Sequence, residues 1–150
     1  MKLSSFQEII DFAIKREEEA YKAYGKMMEI AETPGLRKLL SELQAEEKEH
    51  KRLLQNISKE KIESLEIKEV EDMKISDPLQ EEKPSENMNF QDLLILAAKK
   101  EQNAIDLYTS LGKKAKTEEL KKLFDFLVQQ EKSHKLRLED EYEKHVLEGY

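Results

Sequence analysis

The sequence contains no cysteine among its 150 residues. This absence excludes disulfide bonds, thiolate zinc sites, iron–sulfur clusters and cysteine nucleophiles. Any chemistry at a buried site must therefore use Glu, Asp, His or Tyr side chains. Tryptophan is absent too, and there are only 3 prolines and 4 glycines. So few breakers, in a chain with 39% charged and 38% apolar residues, favour long amphipathic helices over a sandwich of short strands.

Long apolar runs and free-standing basic blocks are also missing. The longest apolar run covers residues 93–98, whereas a membrane-spanning helix needs roughly 20 apolar residues. Acidic residues interrupt the first apolar stretch too early for a signal peptide. Because the net charge is −7, a nucleic-acid backbone would be repelled on average. We expect one soluble cytoplasmic domain over 1–150, with no nucleic-acid or membrane partner.

Four helices are predicted from apolar periodicity and from residues suited to begin a helix. Ser5, within a capping-box sequence, precedes the first helix. Thr33 followed by Pro34 suits the start of the second. Asn89 and Thr117 can cap the third and fourth helices.

The chain carries an internal repeat. A shift of 84 residues aligns positions 6–54 with 90–138 without a gap, and 18 of the 49 pairs are identical. The repeat units therefore cover about 5–57 and 89–147, each a helical hairpin. These hairpins predict an all-α fold, an antiparallel four-helix bundle.

The segment of about 58–88 between the repeat units has a different character. It contains two of the prolines and no sustained apolar period, which is typical of a long connection. We expect a crossover here, with a possible short helix in residues 62–73.

Six acidic or histidine residues interrupt the apolar seams of the four helices. The repeat pairs Glu17 with Glu101, Glu47 with Glu131, and His50 with His134. Buried carboxylates cost several kcal/mol each unless they are paired, and four together would repel one another. A purely structural core would not be expected to repeat this arrangement, whereas divalent cations would offset its cost.

The heights of these residues along the helices agree. Glu17 and Glu47 each lie 15 residues from the first hairpin turn, about 22 Å along a helix, and the second hairpin repeats this spacing. One Glu from each of two helices, with Glu-x-x-His from the other two, is the ligand set of dinuclear iron or manganese sites in ferritin-like bundles. Carboxylates with one imidazole per metal suit two Fe ions, with Mn or Zn possible.

Two tyrosines lie on the same seams as the predicted ligands. Tyr24 and Tyr108 follow Glu17 and Glu101 by seven residues, or two helical turns. A phenol there could donate a hydrogen bond to a ligand carboxylate. The alternative is an ordinary core tyrosine whose hydroxyl reaches the bundle surface.

Other acids and histidines near the motif are not predicted to be ligands. The repeat replaces Glu46 with a glutamine and Glu49 with a serine, so both acids are expected to be solvated. His145 has no acid three residues earlier and is expected to be a solvated histidine near the end of the last helix.

The paired "E-x-x-A-x-x-x-Y" and "E-x-x-H" segments resemble the rubrerythrin branch of the ferritin-like superfamily over essentially the whole chain. The resemblance implies an antiparallel four-helix bundle with a left-handed crossover, usually assembled as a homodimer. It also implies that Glu47 and Glu131 bridge the metals and that Glu17 and Glu101 are terminal ligands.

Two departures from rubrerythrins stand in the sequence. A cysteine-ligated rubredoxin iron centre delivers electrons in rubrerythrins, and these 150 residues have no cysteine to hold one. Reductase activity would need an external electron donor such as a rubredoxin-like carrier. Ala104 also occupies the position of an extra glutamate that takes part in redox-linked ligand exchange in classical rubrerythrins.

Three functions are compatible with these observations. The first is a di-iron oxidoreductase that reduces hydrogen peroxide or oxygen, with a role in oxidative stress. The second is an iron-binding or ferroxidase module for iron handling, without multi-turnover peroxidase activity. The third is a metal-free structural or partner-binding bundle.

Overall fold

The computed structural model describes residues 2–3, 6–61, 73–74, 82–115 and 117–147. Two very short strands, β1 (Lys2–Leu3) and β2 (Met73–Lys74), pair antiparallel, with Lys2 opposite Lys74. Four long helices make up most of the remainder: α1 (Phe6–Ile30), α2 (Pro34–Lys61), α3 (Phe90–Lys114) and α4 (Glu118–Leu147). The predicted all-α, four-helix class is confirmed.

Helices α2, α3 and α4 each begin directly after the residue that was predicted to cap them. Thr33 and Thr117 each accept a hydrogen bond on Oγ1 from the backbone N–H three residues later, at 3.3 and 3.2 Å. Asn89 and Asp92 form a complete capping box, each side chain accepting from the other's backbone N–H. Such caps satisfy N–H groups that the first turn of a helix leaves unpaired. Ser5 lies outside the described residues.

The end of the first repeat unit differs slightly from the prediction. Helix α2 continues to Lys61, four residues beyond the last apolar position at 57. The added residues are Ser, Lys, Glu and Lys, and two of these types have good intrinsic helix propensity. The predicted short helix at 62–73 lies outside the described residues except for Met73, which belongs to β2.

Two apolar clusters fill the bundle and fix the helix directions. One joins the beginning of α1 and of α4 to the end of α2 and of α3. The other joins the end of α1 and of α4 to the beginning of α2 and of α3. Since α1 and α2 form one hairpin and α3 and α4 another, neighbouring helices are antiparallel. The end of α2 and the beginning of α3 therefore lie at opposite ends of the bundle, as the predicted crossover requires.

A layer of buried polar side chains separates the two apolar clusters. Each of these residues is at most 6% exposed. They are Arg16, Glu17, Glu47, His50, Lys100, Glu101, Glu131 and His134. Within the parts of the chain that the structure describes, no helix is long and apolar enough to span a membrane.

Candidate metal centre

The structure brings all six predicted ligand residues together in the middle of the bundle. Their side chains form two groups, each with ligand atoms within 4.8 Å of one another. The His50 group consists of Glu17, Glu47, His50 and Glu131, and the His134 group consists of Glu47, Glu101, Glu131 and His134. Glu47 and Glu131 belong to both groups. This sharing suits two neighbouring metal positions joined by two carboxylates.

In the His50 group, the imidazole nitrogen Nδ1 faces three carboxylates. It lies 2.8 Å from Glu131 Oε1, 3.5 Å from Glu47 Oε1 and 3.8 Å from Glu17 Oε2. Four potential ligand atoms thus come from three helices, α1, α2 and α4.

In the His134 group, Nδ1 has the corresponding neighbours. It lies 3.1 Å from Glu47 Oε1, 3.5 Å from Glu101 Oε2 and 3.9 Å from Glu131 Oε1. The rings of His50 and His134 stack with centroids 5.6 Å apart. The sequence repeat is therefore expressed as a pseudo-twofold relation between the two groups.

Each predicted ligand leaves at least one buried polar atom without a hydrogen-bond partner among the described residues. Those atoms are Glu17 Oε2, Glu47 Oε1, His50 Nδ1, Glu101 Oε2, Glu131 Oε1 and both ring nitrogens of His134. Some lie 2.8 to 3.9 Å from one another, but carboxylate oxygens and unprotonated imidazole nitrogens are all acceptors. Buried unsatisfied acceptors are rare in folded proteins and costly. Divalent cations would satisfy the four carboxylate oxygens and the two Nδ1 atoms, while His134 Nε2 faces Glu46, so the donor set fits a dinuclear iron or manganese site.

The two predicted tyrosines contact ligands of the opposite hairpin. The Tyr24 hydroxyl donates to Glu101 Oε1, and the Tyr108 hydroxyl donates to Glu17 Oε1. Both tyrosines are fully buried, so their hydroxyls lie inside the centre and not at the bundle surface. Burial, followed by the charge of the neighbouring carboxylate, raises the pKa of both phenols. Each phenol therefore keeps its proton and holds one terminal glutamate in place.

Arg16 is a member of the centre that the periodicity of the sequence did not identify. Its Nη1 lies 2.6 Å from Glu47 Oε2, 3.1 Å from Glu17 Oε1 and 3.3 Å from Glu131 Oε2. Its Nη2 donates to the backbone carbonyl of Lys100 at 3.0 Å. The guanidinium is only 4% exposed. The carboxylates of Glu47 and Glu131, followed by that of Glu17, outweigh burial and raise the Arg16 pKa.

A signal for Arg16 exists in the repeat. Arg16 aligns with Lys100, another basic residue immediately before a predicted ligand, and Lys100 is also buried. A residue next to a seam position is rotated by about 100° from it. Apolar periodicity therefore assigns Arg16 to the helix flank, but its long side chain reaches inward.

Glu46 is closer to the centre than predicted. It is 42% exposed, yet its Oε2 lies 3.0 Å from His134 Nε2, although this nitrogen is not aligned for a hydrogen bond. Arg137 Nη1 contacts the same oxygen at 3.2 Å. The prediction of an entirely solvated Glu46 is wrong, because α2 and α4 approach closely enough for this contact. Glu49, at 60% exposure, is solvated as expected.

His145 also differs from the prediction. Its ring stacks on Phe90 with centroids 3.8 Å apart, and it is half-buried. The antiparallel arrangement brings the end of α4 beside the beginning of α3. His145 belongs to neither ligand group, so it lies apart from the centre.

The carboxylates of the metal-free centre differ in their affinity for protons. Burial, followed by the charge of Glu47, raises the pKa of Glu17 to about 7. Burial and the charge of Glu101 raise the Glu131 pKa well above its usual value. Burial would raise the pKa of Glu47 as well, but Arg16 and then the histidines outweigh it, and its pKa is well below the usual range.

Both histidines hold protons more strongly than a free imidazole. Burial by itself would lower their pKa values. The adjacent carboxylates of Glu17 and Glu47 outweigh this and raise the His50 pKa to about 9. The adjacent carboxylates of Glu101 and Glu47 raise the His134 pKa to about 10. Without metal, protons partly compensate the charge of the carboxylates.

A surface cavity of about 470 Å³ adjoins the His50 group. Glu17 forms part of its wall, and the other lining residues are Glu18, Tyr21, Lys22, Lys48 and Lys51. The Lys51 ammonium lies 2.9 Å from Glu18. The cavity brings solvent-accessible space next to a buried ligand.

Comparison with solved structures supports the same fold. A hypothetical protein from Pyrococcus furiosus is 28% identical, with a TM-score of 0.74, over 93% of this chain and 89% of that one. A Thermotoga maritima protein, provisionally described as a ferritin-like diiron-carboxylate protein, is 19% identical, with a TM-score of 0.78, over 95% and 97%. A dodecameric thioferritin, the bacterioferritin-related protein of Bacteroides fragilis, is 19% identical, with a TM-score of 0.71, over 93% and 84%.

Sequence comparison identifies the family of the chain, which similarity of fold does not. None of the curated proteins matches the chain significantly. Residues 8–142 match the rubrerythrin family, and this range contains all six predicted ligands and both tyrosines. The four helices of this chain bring its own paired Glu and Glu-x-x-His segments together at the centre of the bundle, and with the match over residues 8–142 the chain belongs to the rubrerythrin family.

Proposed function

We propose that this protein is a non-haem di-iron oxidoreductase that reduces hydrogen peroxide, or dioxygen, with electrons from an external carrier. The observation that carries the proposal is the convergence of four carboxylates and two imidazoles, each with a buried atom lacking a hydrogen-bond partner in the described structure. Membership of the rubrerythrin family supports iron as the metal and redox chemistry as its use.

The six side chains would hold two metal ions, Glu47 and Glu131 between them and Glu17 and Glu101 at either side. Two ferrous ions bound there would supply two electrons, which with two protons convert hydrogen peroxide into two molecules of water.

The remaining contributions come from the chain itself. Tyr24 and Tyr108 orient the terminal glutamates through hydrogen bonds. The two apolar clusters exclude water from both ends of the centre, which strengthens electrostatic interactions inside it.

The cavity beside Glu17 would bring a small oxidant to the edge of the buried centre. Its wall carries three lysines, Lys22, Lys48 and Lys51, against two glutamates, Glu17 and Glu18, and Lys51 is paired with Glu18. This small excess of positive charge would disfavour Fe²⁺ but would not hinder a neutral molecule such as peroxide. The same lysines would suit an acidic electron carrier of the rubredoxin-like type, which would supply the electrons because these 150 residues hold no cysteine to bind a rubredoxin centre.

The test is anaerobic loading of the protein with Fe²⁺, followed by rapid mixing with peroxide and, in a separate run, with oxygen. We expect faster oxidation of the iron by peroxide. The matched control is the Glu47→Ala/Glu131→Ala variant, which lacks both shared carboxylates. Equal oxidation rates in wild type and this variant would contradict the proposal.

A second function, iron binding or ferroxidase activity for iron handling, is favoured by one comparison. The Bacteroides fragilis protein with the same fold is described as a dodecameric thioferritin. Iron storage needs a closed shell of many subunits, whereas our proposal includes a cytoplasmic homodimer, by analogy with rubrerythrins. Light scattering separates the two, because a dimer removes the storage function and a dodecamer favours it.

A further inference from the structure

We infer that the two metal positions are unequal and fill in order, the His134 group first and the His50 group second, because Arg16 competes with the second ion. This inference rests on the proposed dinuclear centre. It concerns a property that the pseudo-twofold relation would not predict, since symmetric groups would bind two ions alike.

The position of Arg16 breaks the symmetry. Its Nη1 contacts three of the four members of the His50 group, Glu17, Glu47 and Glu131. Of these, only the two shared glutamates belong to the His134 group. A guanidinium keeps its charge at any pH that the protein would survive. One permanent positive charge therefore already lies among the ligands of the His50 group.

The individual oxygens show how the competition arises. Arg16 contacts Oε2 of Glu47 and Oε2 of Glu131, while Oε1 of each remains without a hydrogen-bond partner and faces the imidazoles. A first ion can use those two Oε1 atoms while Arg16 keeps both Oε2 atoms. A second ion that binds Glu47 and Glu131 through Oε2 would share those oxygens with the Arg16 guanidinium. Arg16 therefore competes with the second ion for both carboxylates, through its charge and through its hydrogen bonds.

Glu46 favours the His134 group independently. Its Oε2 lies 3.0 Å from His134 Nε2 and is held by Arg137. The negative charge beside Nε2, which acts through proximity and not through an aligned hydrogen bond, favours a proton on that nitrogen and so leaves the Nδ1 lone pair for a metal. In the second repeat unit the equivalent residue is the uncharged Gln130. The Glu46 carboxylate thus faces His134, whereas the repeat assigns the uncharged Gln130 to the corresponding position for His50.

The experiment is anaerobic calorimetric titration of metal-free protein with Mn²⁺. We expect two steps, the second weaker by about tenfold or more, the scale on which groups next to ligands alter metal affinity. The Arg16→Met variant should strengthen the second step by a similar factor and leave the first within about twofold. Glu46→Gln should weaken the first step. Arg52→Met, at an exposed arginine paired with Glu49, is the control and should leave both steps unchanged.

Single ligand variants identify the steps. Glu101→Gln should weaken the first step and Glu17→Gln the second, because each residue belongs to only one group. The melting temperature without metal provides a further readout. It should fall in Arg16→Met, which removes the only guanidinium in contact with the carboxylates of the centre among the described residues, while the increase caused by Mn²⁺ becomes larger.

The outcomes separate this inference from the proposed function. If no Mn²⁺ binds, the dinuclear centre itself is wrong. If two ions bind with equal affinity, or if Arg16→Met leaves the second step unchanged, the centre stands and the ordered filling is wrong. Should Arg16→Met fail to fold, Arg16→Lys replaces it. Its single, shorter-reaching nitrogen should also strengthen the second step, and an unchanged second step in that variant would equally overturn the inference.

Discussion

Raising the pH of the metal-free protein from about 7 to 10 is expected to destabilise it strongly. The cause is the set of protons that the folded centre retains. The His50 pKa is raised from 6.5 to about 9 and the His134 pKa from 6.5 to about 10, because the adjacent carboxylates outweigh burial. The unfolded chain releases both protons near pH 6.5.

These raised pKa values make the folded state less stable as the pH rises. A group whose pKa is higher in the folded state stabilises the fold fully below its unfolded pKa, and this contribution is lost as the pH rises through the folded value. The histidines therefore contribute fully below about 6.5, and their contribution disappears between about 7 and 10. Glu17, with a pKa raised from 4.5 to about 7, acts in the same direction at lower pH. Glu47, with a lowered pKa, acts oppositely and only in acid.

The loss in the free energy of unfolding has an upper limit. Each proton that the folded state retains and the unfolded state has lost changes the free energy of unfolding by about 1.4 kcal/mol per pH unit. Two imidazole protons give a slope of about 3 kcal/mol per pH unit. Across pH 7 to 9 the loss is at most about 5 kcal/mol, which is comparable with the whole stability of a typical small domain.

The assay is guanidinium unfolding of chelator-treated protein, followed by circular dichroism at several pH values from 6 to 10. The His50→Gln/His134→Gln variant is the control, because it cannot retain the two protons and should show a much flatter profile. Metal-loaded protein should not show the decline, because metal and protons compete for the same nitrogens. A flat profile for the metal-free wild type from pH 7 to 9 would refute the reasoning.

Three further predictions concern individual side chains. Glu47→Gln should reduce the bound metal measured by elemental analysis, because Glu47 belongs to both ligand groups, while Glu49→Gln on the exposed face of the same helix should not. Tyr24→Phe should cost about 1 to 3 kcal/mol in chemical denaturation, because it leaves a buried carboxylate oxygen unpaired; Tyr21→Phe, at a residue 39% exposed, should cost less than about 0.5 kcal/mol. Asn89→Ala should cost about 1 kcal/mol in the same assay through loss of the capping box, and no effect would show that this cap is dispensable.

The overall fold and the six converging residues were predictable because they depend on short-range rules that the repeat applies twice. Three consecutive acids occupy 17–19, and only Glu17 aligns with an acid in the second hairpin. The structure buries Glu17 completely. Capping by Thr33, Asn89 and Thr117 was predictable for the same reason, since each cap involves residues only three positions apart.

The unpredicted contacts at the centre cross between helices and depart from the repeat. Arg16 reaches carboxylates from two other helices, and nothing in the periodicity of α1 indicates that a flank residue turns inward. Glu46 approaches His134 across the α2–α4 contact, whereas comparison of the two repeat units suggested a solvated acid. A repeat identifies what the two halves share, and it conceals the residues by which they differ.

Arg16, one of these departures from the repeat, changes the net charge of the centre. Four carboxylates and Arg16 leave a net charge of −3 when the imidazoles are neutral. The raised pKa values of Glu17, Glu131 and both histidines are the means by which the metal-free centre holds compensating protons. Two divalent ions replace those protons and bring the same set to a net charge of +1. Because the guanidinium cannot lose its charge, it opposes binding of the second ion. It also gives the loaded centre its net charge of +1, which one small monovalent anion would neutralise.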